Sequence, residues 1–114
     1  MKEVKAYVRA DKLEEILRAL QDEGARDMTV IRVDAIGAMA DPVANRQRFI
    51  RKFSEAYSSI AKIEIVCGDE EADRLVQVVK KHGWTGFPGD GRIFVSSIER
   101  CVNIRTGTEG DEAL

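Results

Sequence analysis

The sequence predicts an α+β fold of βαββαβ order, an antiparallel sheet with two helices on one face, within a single domain spanning 1–114. Three observations lead there. Four short runs carry strand-type alternation or β-branched enrichment. Two stretches between them repeat apolar residues at helical spacing. A long connection separates two halves that each read strand, helix, strand.

Val4, Ala6 and Val8 alternate with Lys5, Tyr7 and Arg9, the period of a half-buried first strand. Asp11 followed by Glu14 has the spacing of a capping box, and Leu13, Ile16, Leu17 and Leu20 then recur on one helical face. Gly24 supplies the stop. The run MTVIRVDAI, residues 28–36, predicts the second strand, and AKIEIVC, residues 61–67, the third. Asp69 opens the second helix with Glu70 and Glu71 in its first turn. Lys80, Lys81 and His82 occupy its last turn, so charge complements the helix dipole at both ends. Residues 92–98, RIFVSSI, predict the fourth strand; CVNIR, 101–105, predicts a short tail strand before an acidic tail, 107–114, expected to fray. This is the ferredoxin-like arrangement. Its second sheet face lacks cover and its edges are open, which self-association would remedy.

Composition excludes several classes. A net charge of −2 gives no overall attraction to nucleic acid or an acidic membrane. No apolar run approaches a transmembrane span. Met1-Lys2-Glu3-Val4-Lys5 has no signal-peptide apolar region, so the expected location is the cytoplasm. Cys67 and Cys101 fit no metal or redox spacing and read as reduced thiols. Convergence of those cysteines with His82 on a soft metal is the alternative, and the spacing does not support it. His82, the only histidine, reads as a surface or capping residue, and Trp84 as a packing anchor.

The stretch TGFPGDGRIFV, residues 85–95, is the strongest local signal. Gly86, Gly89 and Gly91 fall in one loop immediately before a strand. Glycine allows positive φ and close backbone approach, and successive N–H groups can converge on a phosphate. A tight hairpin-like connection is the alternative.

Residues 41–57 read as a basic amphipathic arm. Asp41 can cap, Pro42 suits a first helical position, and Phe49, Ile50, Phe53 and Tyr57 follow at helical spacing. Arg46, Arg48, Arg51 and Lys52 make the segment basic. Either the arm meets an acidic partner, with Arg46, Arg48, Phe49, Arg51 and Phe53 as contacts, or its aromatics pack on the body. An acyl-phosphatase-like use of Arg92 and Asn103 places the glycine loop at the wrong end of the chain; no catalytic residues are assigned and the chain is expected not to be an enzyme.

On KIEIVC and TGFPGDGRIFVSSIERCVNIRTG, the sequence resembles the PII signal-transduction family over nearly its whole length. The resemblance implies a homotrimer that binds an adenine nucleotide (ATP, ADP or AMP) between subunits. It also implies control of a transporter, enzyme or transcription regulator through a T-loop. Residues 38–58 would be the T-loop-equivalent arm, 84–91 the glycine-rich B-loop and 101–109 the C-terminal loop. It places Gly89, Asp90, Gly91 and Arg92 at the phosphates, with Arg105 reaching them from a neighbouring subunit. Thr29, Glu64 and Val66 surround the adenine, and Gly37 starts the T-loop.

Several positions depart from the family pattern. Asn103 stands where a second phosphate-binding arginine is usual, which should weaken triphosphate most. Phe87 and Pro88 replace a mostly polar pair in the loop. Met39 and Ile60 replace the magnesium-ligating glutamine and the lysine of the 2-oxoglutarate site, so classical 2-oxoglutarate sensing is not expected and no metal is required. Tyr57 lacks the context of a uridylylated tyrosine. The other reading of the same architecture is a nucleotide-independent trimeric interaction or metal-tolerance module.

Overall fold

A computed structural model describes residues 1–35 and 60–114. The arm and Gly37, Met39 and Tyr57 therefore lie outside the described residues.

Strand β1 (Lys2–Arg9) buries Val4, Ala6 and Val8, as its alternation requires. A short 3-10 turn, Ala10–Lys12, leads into helix α1 (Leu13–Asp22). The expected capping box at Asp11 is not formed: Asp11 lies inside that turn, and Lys12 takes the cap position without a side-chain bond. The helix ends as Gly24 predicts. Gly24 adopts φ +88°, and the Ala25 N–H reaches back to the Leu20 carbonyl at 2.9 Å.

Strand β2 is Thr29–Val33, shorter than expected at both ends, and β3 is Ile60–Cys67. Helix α2, Asp69–Gly83, starts at Gly68, whose N–H donates to the Glu71 carboxylate at 3.0 Å. Strand β4 is Gly91–Ser97.

The sheet order is β2-β3-β1-β4 with every pair antiparallel. Ile16 and Leu20 of α1 and Ala72, Leu75 and Val79 of α2 pack with Val4, Val8, Ile63 and Ile65 in one core. Both helices thus cover one face, and the fold is ferredoxin-like. The opposite face carries Lys5, Tyr7, Lys62, Glu64, Arg92 and Phe94 in register. Its apolar residues are a small cluster of Ala35 and Ile60 with Tyr7 and Val33, and the exposed Ile31 and Phe94.

The C-terminus corrects two expectations. Residues 101–105 form no strand; only Val102 bridges, and its partner is Glu109 of the tail. The tail is folded back instead of frayed. Gly110 N–H bonds the Cys101 carbonyl at 3.0 Å, Arg100 pairs with Glu109, and Gly110–Ala113 form a 3-10 turn. Among the described residues no helix is long and apolar enough to cross a membrane.

Candidate functional site

The glycine loop joins the end of α2 to β4. Its organiser is Asp90, whose carboxylate turns into the loop. One oxygen accepts the N–H groups of Thr85 (2.8 Å) and Gly86 (3.0 Å). The other accepts the Thr85 hydroxyl and the Arg9 Nε–H, the latter at 2.9 Å. Arg9 also donates from Nη2 to the Pro88 carbonyl at 2.8 Å. Burial alone would raise the Asp90 pKa. The bonds from Thr85, Arg9 and Gly86 overcome it and hold the carboxyl well below the usual range.

The loop is therefore fixed from within; Gly86, Phe87 and Pro88 are exposed, Gly89 is buried, and the exposed Arg92 follows. Gly89 and Gly91 adopt φ +98° and +114°. At Gly91 an added Cβ would lie 1.8 Å from the Tyr7 carbonyl oxygen of β1. Glycine is required there by close approach as well as by conformation. Trp84 stands against Gly86, beside the loop as expected, and is 71% exposed in the single chain; Phe87 is 73% exposed.

Arg9 is the residue that sequence reasoning passed over. It ends β1 opposite Ile60, the first described residue after the arm. The available signal was a cation on the uncovered face of β1, but nothing local linked it to a loop 81 positions away.

The second group lies toward the other edge of the sheet. Thr29 of edge strand β2 is the register partner of Glu64, and Val66 is that of Glu3. Thr29, Glu64 and Val66 line one cleft of about 470 Å³ together with Arg26, Gly68 and the tail residues Asp111 and Leu114. Lys62 donates to Glu64 at 2.9 Å, and that bond lowers the Glu64 pKa and raises that of Lys62.

The third group is the C-terminal turn. The Asn103 side-chain carbonyl accepts the N–H groups of Arg105 (3.0 Å) and Thr106 (3.1 Å), while Ile104 and Arg105 face solvent. Asn103 thus spends its acceptor on its own turn.

Within one chain the structure brings Thr29, Glu64 and Val66 together, and Gly89, Asp90, Gly91 and Arg92 together. It does not join the two groups. Thr29 stands on edge strand β2 and Glu64 and Val66 on β3, three and two strand spacings from β4, about 14 and 10 Å. Ile60 is 3% exposed within its apolar cluster. Cys67 is buried, and its Sγ lies 3.8 Å from the Lys2 carbonyl; burial pushes its thiol pKa up. His82 Nδ1 lies 3.1 Å from Glu15 of α1, a cross-helix surface contact. Among the described residues no three His, Cys, Asp or Glu side chains are grouped to hold a metal.

The family model described as Nitrogen regulatory protein P-II matches residues 1–108. Curated relatives include Nitrogen regulatory protein P-II 2 of Methanothermobacter thermautotrophicus, 38% identical over 100% of this chain and 97% of that protein. Nitrogen regulatory protein P-II of Pyropia yezoensis is 40% identical, with both chains covered in full. The protein of the same name from Bradyrhizobium diazoefficiens is 35% identical, again over the full length of both.

Proposed function

The chain belongs to the nitrogen regulatory protein P-II family, and from that premise we propose that it binds an adenine nucleotide in clefts between the copies of a homotrimer. In this reading it is a non-enzymatic regulator acting in the cytoplasm, and the bound nucleotide controls a partner protein through the 38–58 arm. The observation that carries the reading is the internally locked loop at 85–91, which leads into exposed Arg92. A preorganised backbone turn with a cation beside it suits phosphate, because little ordering remains to be done on binding.

The separation of the two residue groups supports a shared cleft. The phosphate-side residues Gly89, Asp90, Gly91 and Arg92 come from one part of the chain, and Arg105 reaches in from a neighbouring copy on its exposed turn. The adenine-side residues Thr29, Glu64 and Val66 complete the site together with Gly37. A cation that closes the site from another chain makes occupancy and subunit packing interdependent.

The absence of 2-oxoglutarate sensing rests on Met39 and Ile60. A carboxylate ligand needs a cation or donors, and Ile60 supplies neither from inside an apolar cluster. Calorimetry on the full chain is the test. ADP and ATP should bind within about tenfold of each other, and 2-oxoglutarate with ATP and magnesium should add no further heat. ATP binding more than about tenfold tighter than ADP would overturn the role given to Asn103. Absence of any nucleotide binding would favour the nucleotide-independent module.

The arm is the proposed recognition segment, with Arg46, Arg48 and Arg51 giving salt-dependent attraction and Phe49 and Phe53 the apolar contacts. A ligand in the cleft can move the arm only through contacts that differ between its positions. Once a partner is in hand, changing the three arginines to glutamate should abolish its capture while trimer mass and nucleotide affinity stay unchanged. Undiminished capture would place recognition elsewhere.

A further inference from the structure

We propose that Asn103 is a positioning residue for Arg105, and so sets nucleotide affinity through a side chain it does not itself present. The proposal deepens the nucleotide-binding reading and rests on it. Four hydrogen bonds converge on Asn103. Its Oδ1 accepts from the N–H groups of Arg105 at 3.0 Å and Thr106 at 3.1 Å. Its own N–H donates to the Thr108 carbonyl at 2.9 Å, and its carbonyl accepts from Gly107 at 2.8 Å. Asn103 is thus the main tie of the turn between Val102 and its bridge partner Glu109, with Thr106 and Thr108 bonded to each other beside it.

The consequence falls on Arg105. Its backbone is held by the Asn103 acceptor, while its side chain stands in solvent beside Ile104, which is 100% exposed. A free turn would have to be ordered at the moment an anion binds, and that cost would be subtracted from affinity. Asn103 removes it in advance.

Side-chain chemistry makes this specific. A guanidinium has five donors and no acceptor, so an arginine at 103 could not receive the two N–H groups. An amide carbonyl has two lone pairs and can take both. Asn103 thus offers a phosphate no cation of its own and gives the Arg105 backbone a fixed frame.

A double-mutant cycle with ATP as the probe tests this on the full chain. Asn103→Ala should weaken ATP binding about tenfold, with oligomer mass unchanged. Asn103→Ser, which retains a hydroxyl acceptor, should recover part of the loss. Arg105→Gln should weaken ATP binding as well, and in that background Asn103→Ala should change affinity less than about twofold. Equal effects of Asn103→Ala in both backgrounds would overturn the inference, as would native affinity in the Asn103→Ala chain. If Arg105→Gln weakens binding and Asn103→Ala does not, the inference fails while the nucleotide reading stands. If the native chain binds no ATP, both fall.

Discussion

Gly91→Ala is expected to cost about 3–5 kcal/mol of folding stability, enough to consume much of what a small domain has. An ideal Cβ at 91 would lie 1.8 Å from the Tyr7 carbonyl oxygen and 3.3 Å from the Val8 Cα, both backbone atoms of the paired strand. Neither can move without breaking the β1–β4 ladder, in which Val8 faces Gly91. The positive φ of +114° adds strain of its own. Gly24→Ala is the control: φ is also positive, at +88°, but nothing lies within 4 Å of the added atom. It should cost only about 1–2 kcal/mol. Urea denaturation of the three proteins measures the difference. A Gly91→Ala chain as stable as Gly24→Ala would contradict the close approach.

Arg9→Met should loosen the glycine loop and weaken nucleotide binding about tenfold or more. The Arg9 and Asp90 side chains are 17% and 24% exposed, and their contact is 2.9 Å. Removing one partner from a largely buried pair leaves the other charge poorly compensated, here at a cost of about 2 kcal/mol after allowing for residual solvent. The Pro88 carbonyl loses its donor at the same time. The lock has an acid limit whose sign is fixed. Because the folded-state pKa of Asp90 is depressed, its contribution is complete above the unfolded carboxyl pKa of about 3.9 and is lost as pH falls below it. Native protein should therefore exceed Asp90→Asn in urea midpoint at pH 7, with the gap closing in acid. A gap independent of pH, or native affinity in Arg9→Met, would refute the lock.

The elements that the sequence disclosed are those whose cause is local. Alternation at Val4, Ala6 and Val8, the acid-to-base gradient along α2 and the Gly24 stop each act within a few residues, and each has its counterpart in the structure. Misreadings arose where a distant or competing partner decided the outcome. Val102 and Ile104 alternate like a strand, but the Asn103 side chain captures the following N–H groups and bends the chain into a turn. The acidic tail reads as frayed until its partners Cys101 and Arg100 are seen. The glycine loop was legible as a loop from its composition; the lock that fixes it was not, because Arg9 belongs to β1 and no short-range pattern connects it to Asp90.

Site residues divide in the same way. Gly89, Gly91 and Arg92 are marked by a dense local motif, whereas Thr29, Glu64 and Val66 carry no chemical signature of their own and entered through family resemblance alone. The β2–β3 register sets Thr29 opposite Glu64, and the alternation of β3 puts Val66 beside Glu64 in the same cleft.

The shared cleft is tested most directly by mixed trimers. Chains carrying Arg92→Ala and chains carrying Arg105→Ala, each expected to bind ATP poorly alone, are co-expressed with different tags and the mixed trimers isolated. In a closed ring where one chain supplies Arg92 and its neighbour Arg105, every mixed trimer contains one cleft with both arginines intact. The expected result is about one ATP per mixed trimer, bound with native affinity. Mixed trimers that bind no better than either parent would mean that both arginines act from the same chain, or that neither meets the nucleotide, and would contradict the shared cleft.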